Sequence, residues 1–169
     1  FAAQPTTMVR DNRSDIFIVS PSGGAAEQIT TNPGPDTGPV WSPDGATIAY
    51  TAGPNSTAPL PDGTQPSYVG NEHLMLYNVA SRKTRDAASR AVDLSPSGLH
   101  WSADSASLLF RTGVKTSRDL FAYDTASGAY TRLTHGKITS IGSIAHDSVA
   151  LVMESSSEPG EIYVAPLVR

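Results

Sequence analysis

The serines of this 169-residue sequence are its most direct candidates for nucleophilic chemistry, and none stands in a catalytic motif. A nucleophilic serine on a strained strand-to-helix turn requires the pentapeptide G-x-S-x-G, which the sequence does not contain. Ser22 comes nearest, in Pro21-Ser22-Gly23-Gly24, but it lacks the preceding glycine and its context indicates a hairpin turn. We therefore assign no catalytic residue to this chain, which by itself is not expected to be an enzyme.

The histidines do not form a locally encoded metal site. They show neither H-E-x-x-H nor a pair spaced by four residues, which would place two ligands on one helical face, and they are His73, His100, His135 and His146. We interpret His135 and His146 as polar turn residues. Residues distant in sequence could still meet in the fold, but no pattern indicates that they do. The sequence has no cysteine, so it can form neither a disulfide nor a thiolate metal site. We assign no metal and no cofactor.

Three aspartates, Asp44, Asp104 and Asp147, invite a calcium interpretation. Calcium loops need several oxygen ligands in close succession, and each of these residues stands in a turn with few such companions. We interpret them as turn formers. Trp41 and Trp101, which precede two of these turns, could be exposed binding platforms, but their placement favours packing in the core.

The charge pattern excludes several partners. The net charge is −4, and the densest basic stretch, Arg82-Lys83-Thr84-Arg85, is typical of a solvated turn, so we expect no nucleic-acid partner. No apolar run approaches the ~18 residues of a membrane helix, and we expect no membrane partner. Residues 1–4 lack the features of a signal peptide. The compartment, cytoplasmic or periplasmic, remains open.

A seven-residue pattern occurs three times. It reads as Asp, a small residue, two variable positions, an aliphatic residue, a variable position and a large apolar residue, at residues 44–50, 104–110 and 147–153. Asp followed by Gly or Ser suits a tight hairpin turn. The alternation after it puts Ile48 and Tyr50, or Leu108 and Phe110, on one face of a strand. The pattern therefore predicts repeated β-hairpins.

A second strand-like element recurs between these turns. Each copy has an aliphatic-centred run that leads into a polar turn, at residues 15–19, 73–77 and 119–123, and a fourth copy stands at residues 161–165. The turn aspartates are 60 and 43 residues apart, and the second elements are 46 and 42 residues apart over the last three copies. A period of about 40 to 45 residues with four short strands is typical of β-propeller blades. A β-sandwich has similar strand spacing but gives no reason for the recurring pattern.

The repeats predict an all-β fold, in which residues 1–169 form a partial β-propeller of about three four-stranded blades. We place the blades near residues 14–53, 72–113 and 117–154, with partial blades at 1–10 and 161–169. Residues 54–71, rich in Pro, Gly, Ser and Thr, are expected to be an insertion on one rim. Since propellers close with four to eight blades, the chain is either a piece of a larger propeller or pairs with copies of itself through blade edges.

The segment 41–50, Trp-Ser-Pro-Asp-Gly-Ala-Thr-Ile-Ala-Tyr, resembles a blade motif shared by two groups of propellers. One group is the periplasmic Tol-system proteins, and the other is the prolyl oligopeptidase family of serine peptidases. The segment 155–164, Ser-Ser-Ser-Glu-Pro-Gly-Glu-Ile-Tyr-Val, is similar to the stretch where the peptidase propeller approaches its catalytic domain. The resemblance therefore favours the peptidase family.

This resemblance implies a parent enzyme of the acylaminoacyl- or dipeptidyl-peptidase kind. In that family the partner of the propeller is an α/β-hydrolase domain with a Ser-His-Asp triad, and the propeller admits short peptides while excluding folded proteins. The chain would be the non-catalytic, substrate-gating portion of a serine exopeptidase. Dipeptidyl specificity relies on a Glu pair in the propeller, and no Glu-Glu occurs here. The alternative is a non-enzymatic, protein-binding propeller of the Tol-system type.

Overall fold

The structure is a computed structural model that describes residues 2–3, 14–53, 71–87, 95–145 and 148–166. Within these residues the chain forms fourteen β-strands and no helix, which confirms the expected all-β class. The chain divides into two compact units. One unit comprises Phe1–Pro39 and Ile48–Leu94, and the other comprises Val40–Thr47 and Ser95–Arg169.

The first seven strands form two antiparallel sheets. The first sheet has the order β1-β2-β3, with β1 at Ala2–Ala3, β2 at Asp15–Ile18 and β3 at Glu27–Gln28. The second has the order β4-β5-β6-β7, with β4 at Asp36–Trp41, β5 at Thr47–Ala52, β6 at His73–Asn78 and β7 at Lys83–Asp86. The second sheet is thus a four-stranded meander, the arrangement expected of a blade.

The last seven strands form two further meanders. The first comprises β8 at Ser97–Trp101, β9 at Ser107–Val114, β10 at Ser117–Asp124 and β11 at Tyr130–Arg132. The second comprises β12 at Ile138–Ala145, β13 at Ser148–Ser155 and β14 at Glu158–Pro166. A single parallel pair, Arg118 with Ile138, joins β10 to β12. We therefore treat β8–β11 and β12–β14 as separate blade-like meanders.

The observed sheet boundaries differ from the expected blade boundaries. The expected blade 14–53 contains β2 to β5, but β2 and β3 lie in one sheet and β4 and β5 lie in another. The expected blades 72–113 and 117–154 are displaced in the same way. A repeat has the same period whichever strand is counted first, so periodicity does not say where a sheet begins. The two four-stranded meanders each begin with the strand that precedes an Asp turn.

The structure also places the expected terminal blades and the expected insertion differently from the sequence prediction. β1 pairs with β2, so residues 2–3 of the expected partial blade 1–10 belong to the first sheet and not to a preceding one. β14 ends at Pro166 and pairs with β13, so residues 161–166 of the expected partial blade 161–169 belong to the third strand of the last meander. The expected insertion 54–71 connects β5 and β6, which are neighbours in one sheet. Residues 54–70, like 1, 4–10 and 167–169, lie outside the described part of the chain.

The Asp44 turn is built as the sequence predicts. The Asp44 carboxylate accepts hydrogen bonds from the Ser42 hydroxyl at 2.5 Å and from the Ala46 amide at 3.0 Å. Gly45 takes the left-handed conformation, with φ 71°. These bonds hold the pKa of Asp44 below its ordinary value, with Ser42 as the largest cause. Asp44 is therefore a turn former.

The Asp104 turn repeats this network. The Asp104 carboxylate accepts from the Ser102 hydroxyl at 2.7 Å and from the Ala106 amide at 3.1 Å. Ser105 stands where Gly45 stands in the other copy and also has positive φ, at 61°. Asp147, in the third copy, lies outside the described residues.

The core is made by the alternating residues of the repeat. Ile48, Tyr50, Leu108 and Phe110 are buried, as the alternation predicts. Leu109, which points the other way, is buried as well, so both faces of β9 are covered. Trp41 is half exposed, so the expectation that it anchors the core is wrong. Trp101 is partly buried, and its indole nitrogen donates to the Val40 carbonyl at 3.2 Å.

Candidate functional site

Three pairs of positions, thirteen residues apart, occupy the same place in three sheets. They are Asp15 and Gln28, His73 and Asp86, and Asp119 and Arg132. In each sheet the second member of the pair lies opposite the residue two positions after the first member, as the strand registers of β2–β3, β6–β7 and β10–β11 show. The repeat therefore presents one site in three chemical versions.

The version in β10 and β11 is a closed ion pair. Asp119 is fully buried, and its carboxylate accepts from Arg132 at 2.5 Å and from the Ser117 hydroxyl at 2.6 Å. The Thr134 hydroxyl donates to its other oxygen at 3.1 Å. Burial favours the protonated acid, but bonds from Ser117, Arg132 and Thr134 outweigh it and hold the pKa of Asp119 below its ordinary value. This version stabilises the fold.

The version in β6 and β7 is a pair of side chains, His73 and Asp86, that is exposed to solvent. The Nδ1 atom of His73 lies 2.9 Å from the Oδ2 atom of Asp86, and the two side chains are 51% and 46% exposed. In the ion pair of β10 and β11 the acid lies on the first strand. In β6 and β7 a histidine, His73, occupies that position, and the acid, Asp86, lies on the second strand. The pair is thus accessible to a ligand, whereas Asp119 is not.

A cavity of about 410 Å³ opens beside this pair within the same compact unit. The residues that line it are Asn32, Tyr50, Ala52, Gly53, Asn71, His73, Met75 and Asp86. Met75 and Asp86 are directly opposed in β6 and β7. The cavity combines a carboxylate, an imidazole and amides with an apolar wall, which is the composition of a small-molecule site.

Asn32 connects the cavity to a buried carboxylate. Its side-chain amide donates to Asp36 at 3.2 Å and to the Gly53 carbonyl at 3.1 Å. Asp36 is fully buried, and no donor among the described residues reaches its Oδ2 atom. Burial raises the pKa of Asp36, hydrogen bonds from Thr30 and Asn32 oppose the rise, and the charge of Asp15 adds to it.

Tyr50 contributes the remaining hydroxyl of the cavity wall. Burial raises the pKa of Tyr50 to about 12; a hydrogen bond with Thr84 opposes the rise, and the charges of Asp36 and Asp86 add to it. The phenol therefore stays protonated near neutral pH and serves as a hydrogen-bonding group, not as a nucleophile. The described lining contains no serine, threonine or cysteine that the imidazole of His73 could activate. The arrangement can bind a ligand, and it lacks the groups of a catalytic triad.

The other histidines have ordinary surroundings. His100 is partly buried in β8, and burial, with Arg111 as a lesser cause, lowers its pKa. His135 is exposed in a turn, as expected, and His146 lies outside the described residues. No local motif predicts that His73 lines a cavity, although its alignment with Asp119 in the repeat could have marked it. Over the described ranges, no three His, Asp or Glu side chains gather as metal ligands, and no helix could cross a bilayer.

Curated relatives of the sequence are acylamino-acid-releasing enzymes, whereas no protein-family model matches it. It is 31% identical over 137 residues to the acylamino-acid-releasing enzyme of Mus musculus, a match that covers 75% of this chain and 18% of that enzyme. The corresponding enzyme of Sus scrofa is 30% identical over the same length. The chain thus spans less than a fifth of the length of these relatives.

Solved structures share the fold at low sequence identity. The acylaminoacyl peptidase of Pyrococcus horikoshii has a TM-score of 0.66 at 14% identity, over 96% of this chain and 23% of that one. A structure described as TolB from Agrobacterium tumefaciens has a TM-score of 0.63 at 15% identity, over 95% of this chain and 58% of that one. These two likenesses concern the fold alone.

The repeated meanders and these neighbours define the chain as part of a β-propeller. The acylamino-acid-releasing enzymes of Mus musculus and Sus scrofa, at 31% and 30% sequence identity, identify the family more closely than the fold does. The chain is a segment of a β-propeller domain of a prolyl oligopeptidase-family peptidase.

Proposed function

We propose that this chain forms part of the non-catalytic, substrate-gating propeller of a serine exopeptidase that hydrolyses short peptides. The observation that carries the proposal is the 31% identity to an acylamino-acid-releasing enzyme across three quarters of the chain. The absence of G-x-S-x-G from the full sequence supports a non-catalytic role. The nucleophile would be provided by an α/β-hydrolase domain of the same parent protein.

One sheet face supports the view that the chain works within a larger propeller. Ile16, Leu74 and Leu120 occupy one position of the repeat and are 1%, 2% and 2% exposed. Ile162, the fourth copy of that position, is 79% exposed, and Val164 beside it is 73% exposed. Such apolar exposure is costly in water, about 25 cal/mol for each Å².

The covered copies suggest what would lie on this face. Leu120 and Leu109 pack in one cluster with Val149 and Leu151, which β13 provides. In the other unit Ile16 packs with Ile48 and Tyr50 of β5. In both places the strand after an Asp turn covers the position. A further sheet of the parent propeller would cover Ile162 in the same manner.

Gating would follow from the mechanics of such a ring. Packed β-sheets are close to rigid, so an opening between them passes an extended peptide and excludes a folded protein by size. Movement of the propeller relative to the catalytic domain would then control access to the nucleophile. The chain contributes rigidity and shape to this device, and no chemical step.

The alternative is a protein-binding propeller of the Tol-system type, or several copies of this chain joined through their edges. The TolB fold likeness supports the first, at 15% identity. The sequence relatives favour the peptidase, because they are twice as similar and share one activity in their name.

The proposal is tested on the full gene product that contains this chain. We expect a G-x-S-x-G motif outside these 169 residues and hydrolysis of a short chromogenic acyl-peptide. Replacement of the motif serine by alanine should abolish the activity. An open reading frame without such a motif, or an intact protein that leaves the substrate uncleaved, would refute the proposal.

A further inference from the structure

Two arginines of the β8–β11 meander carry positive charges that no acid balances. Arg111 lies in β9 and Arg118 lies in β10, within one compact unit. No carboxylate of the described residues is within ion-pair distance of either guanidinium, whereas Arg132 of the same meander is paired with Asp119. Neighbouring like charges repel each other, so two unbalanced cations attract an anion.

Strand register places both arginines on one face of the meander. Leu120 lies opposite Arg111, and Arg118 lies opposite Gly113. Directly opposed residues of antiparallel strands share a face, and every second residue returns to it. Leu120 packs with residues of β13, so this is the face that is turned toward β12–β14. The two arginines are diagonal neighbours on it, roughly 7 to 8 Å apart, a separation that long side chains can span.

Gly113 leaves a gap between the two arginines. It is exposed, and a Cβ atom built on it would meet no atom within 4 Å. Its φ also lies outside the left-handed region, so neither a collision nor the backbone conformation requires glycine here. A glycine inside a strand often marks a place where a ligand comes close to the backbone.

Arg111 is held in place although it has no counter-ion. Its Nη1 atom donates to the Ser140 hydroxyl at 3.3 Å. The backbone of Gly98 lies against the guanidinium, because a Cβ atom at Gly98 would stand 3.3 Å from Nη2. The Nε atom is buried and has no acceptor among the described residues. A fixed and partly buried cation without an acid is costly for the fold alone, which indicates a missing anion.

The donors indicate which kind of anion. A guanidinium group is a planar fork of donors that matches the two oxygens of a carboxylate. The Ser140 hydroxyl accepts from Arg111 and retains its own hydrogen for a further acceptor. Phosphate sites often use a helix N-terminus in addition, and the described residues contain no helix. These donors therefore favour a carboxylate.

We propose that Arg111 and Arg118 bind a small carboxylate anion in the gap at Gly113, with the Ser140 hydroxyl as a further donor. An acidic side chain or the C-terminus of a short peptide has this chemistry. The inference does not depend on the proposed peptidase function, because binding is measured directly and with probes that contain no peptide bond.

The test is calorimetric titration of the full gene product with succinamate and with succinamide. The two probes have nearly the same shape, but the second has a neutral amide in place of the carboxylate. We expect succinamate to bind at least about tenfold more tightly, as one charge-assisted hydrogen bond provides. Arg111→Gln and Arg118→Gln should each remove most of that difference. Lys83→Gln, the same loss of charge at an exposed residue of β7, should preserve it.

A further variant separates the position of the site from its charge. Gly113→Leu keeps both arginines and fills the gap, so succinamate should bind more weakly than to the native protein. Thermal unfolding of each variant verifies that it is folded. Equal binding of the two probes to the native protein, an unchanged preference in Arg111→Gln or Arg118→Gln, or native affinity in Gly113→Leu would each overturn the proposal. Inorganic phosphate is titrated as well, and tighter binding of phosphate than of succinamate would overturn the assignment to a carboxylate.

Discussion

Arg132 donates a hydrogen bond across 2.5 Å to the carboxylate of Asp119, a residue with no solvent exposure. The pair joins β10 to β11 at the point where the chain leaves the meander for β12. Removing the cation should leave a buried charge without compensation. We expect Arg132→Met to lower the free energy of unfolding by about 2 kcal/mol, less than for a fully buried pair because Arg132 is one-third exposed.

Urea denaturation followed by tryptophan fluorescence measures this change. Lys83→Met, at an exposed position of β7, is the matched control and should change the free energy by less than about 0.5 kcal/mol. Equal effects of the two substitutions would contradict the role given to the ion pair.

The same carboxylate predicts a pH dependence. The pKa of Asp119 in the folded protein lies below its ordinary value of 3.8. Its ionised form therefore contributes stability above that value, and the contribution is lost as the pH falls through the folded pKa. We expect the stability difference between the native protein and Asp119→Asn to be constant near neutral pH and to shrink below about pH 4. A difference independent of pH would exclude this linkage.

Asp36 predicts a dependence of opposite sign. Because burial raises its pKa, the folded protein favours the protonated acid, and relative stability is lost as the pH rises through the folded pKa. Asp36→Asn should therefore compare more favourably with the native protein at neutral pH than at pH 3. Unfolding curves at several pH values measure this comparison, and a trend parallel to that of Asp119→Asn would contradict it.

The Asp44 turn gives a prediction about the backbone alone. Gly45 has φ 71° and has open space where a side chain would begin, so Gly45→Ala introduces conformational strain and no collision. We expect a loss of about 1 kcal/mol. Gly113→Ala, in β9, also meets open space but has no positive φ, and it should be neutral or slightly stabilising. A loss of similar size at both positions would show that φ is not the cause.

The sequence was informative where a local pattern determines the structure. The Asp44 and Asp104 turns need only the residues within them, and the burial of Ile48 and Tyr50 follows from strand alternation. Periodicity could not identify the first strand of a sheet, since every strand recurs at the same interval. Trp41 shows a further limit of the sequence. Its burial depends on whether another sheet packs against it, and the residues next to it in sequence do not encode that packing.

The candidate site depended on comparing repeats in three dimensions. His73 stands alone in sequence, without a metal or catalytic motif around it. Its place on the cavity wall is evident only from the structure, where strand register aligns it with Asp119 and brings Asp86 to its side. Residues that meet across strands in this way, and a cavity closed by Asn32 from a separate connection, have no local sequence signal.

The exposed face of β14 predicts a measurable change of environment. In the full gene product a further sheet should cover Ile162, so Ile162→Cys should react with a maleimide far more slowly than Lys115→Cys, at an exposed turn. Because these 169 residues contain no cysteine, each variant adds a single reporter to this region. Equal reaction rates at the two positions would show that the face remains in water.

The most direct test is a length comparison with the full gene product. One acyl-peptide sequence is offered free, as a short chain, and also as the terminus of a stably folded carrier protein. If sheets of this chain restrict access to a catalytic serine, the free peptide is hydrolysed and the carrier-bound sequence is spared. Equal rates for the two substrates, or hydrolysis of neither, would contradict a gating propeller.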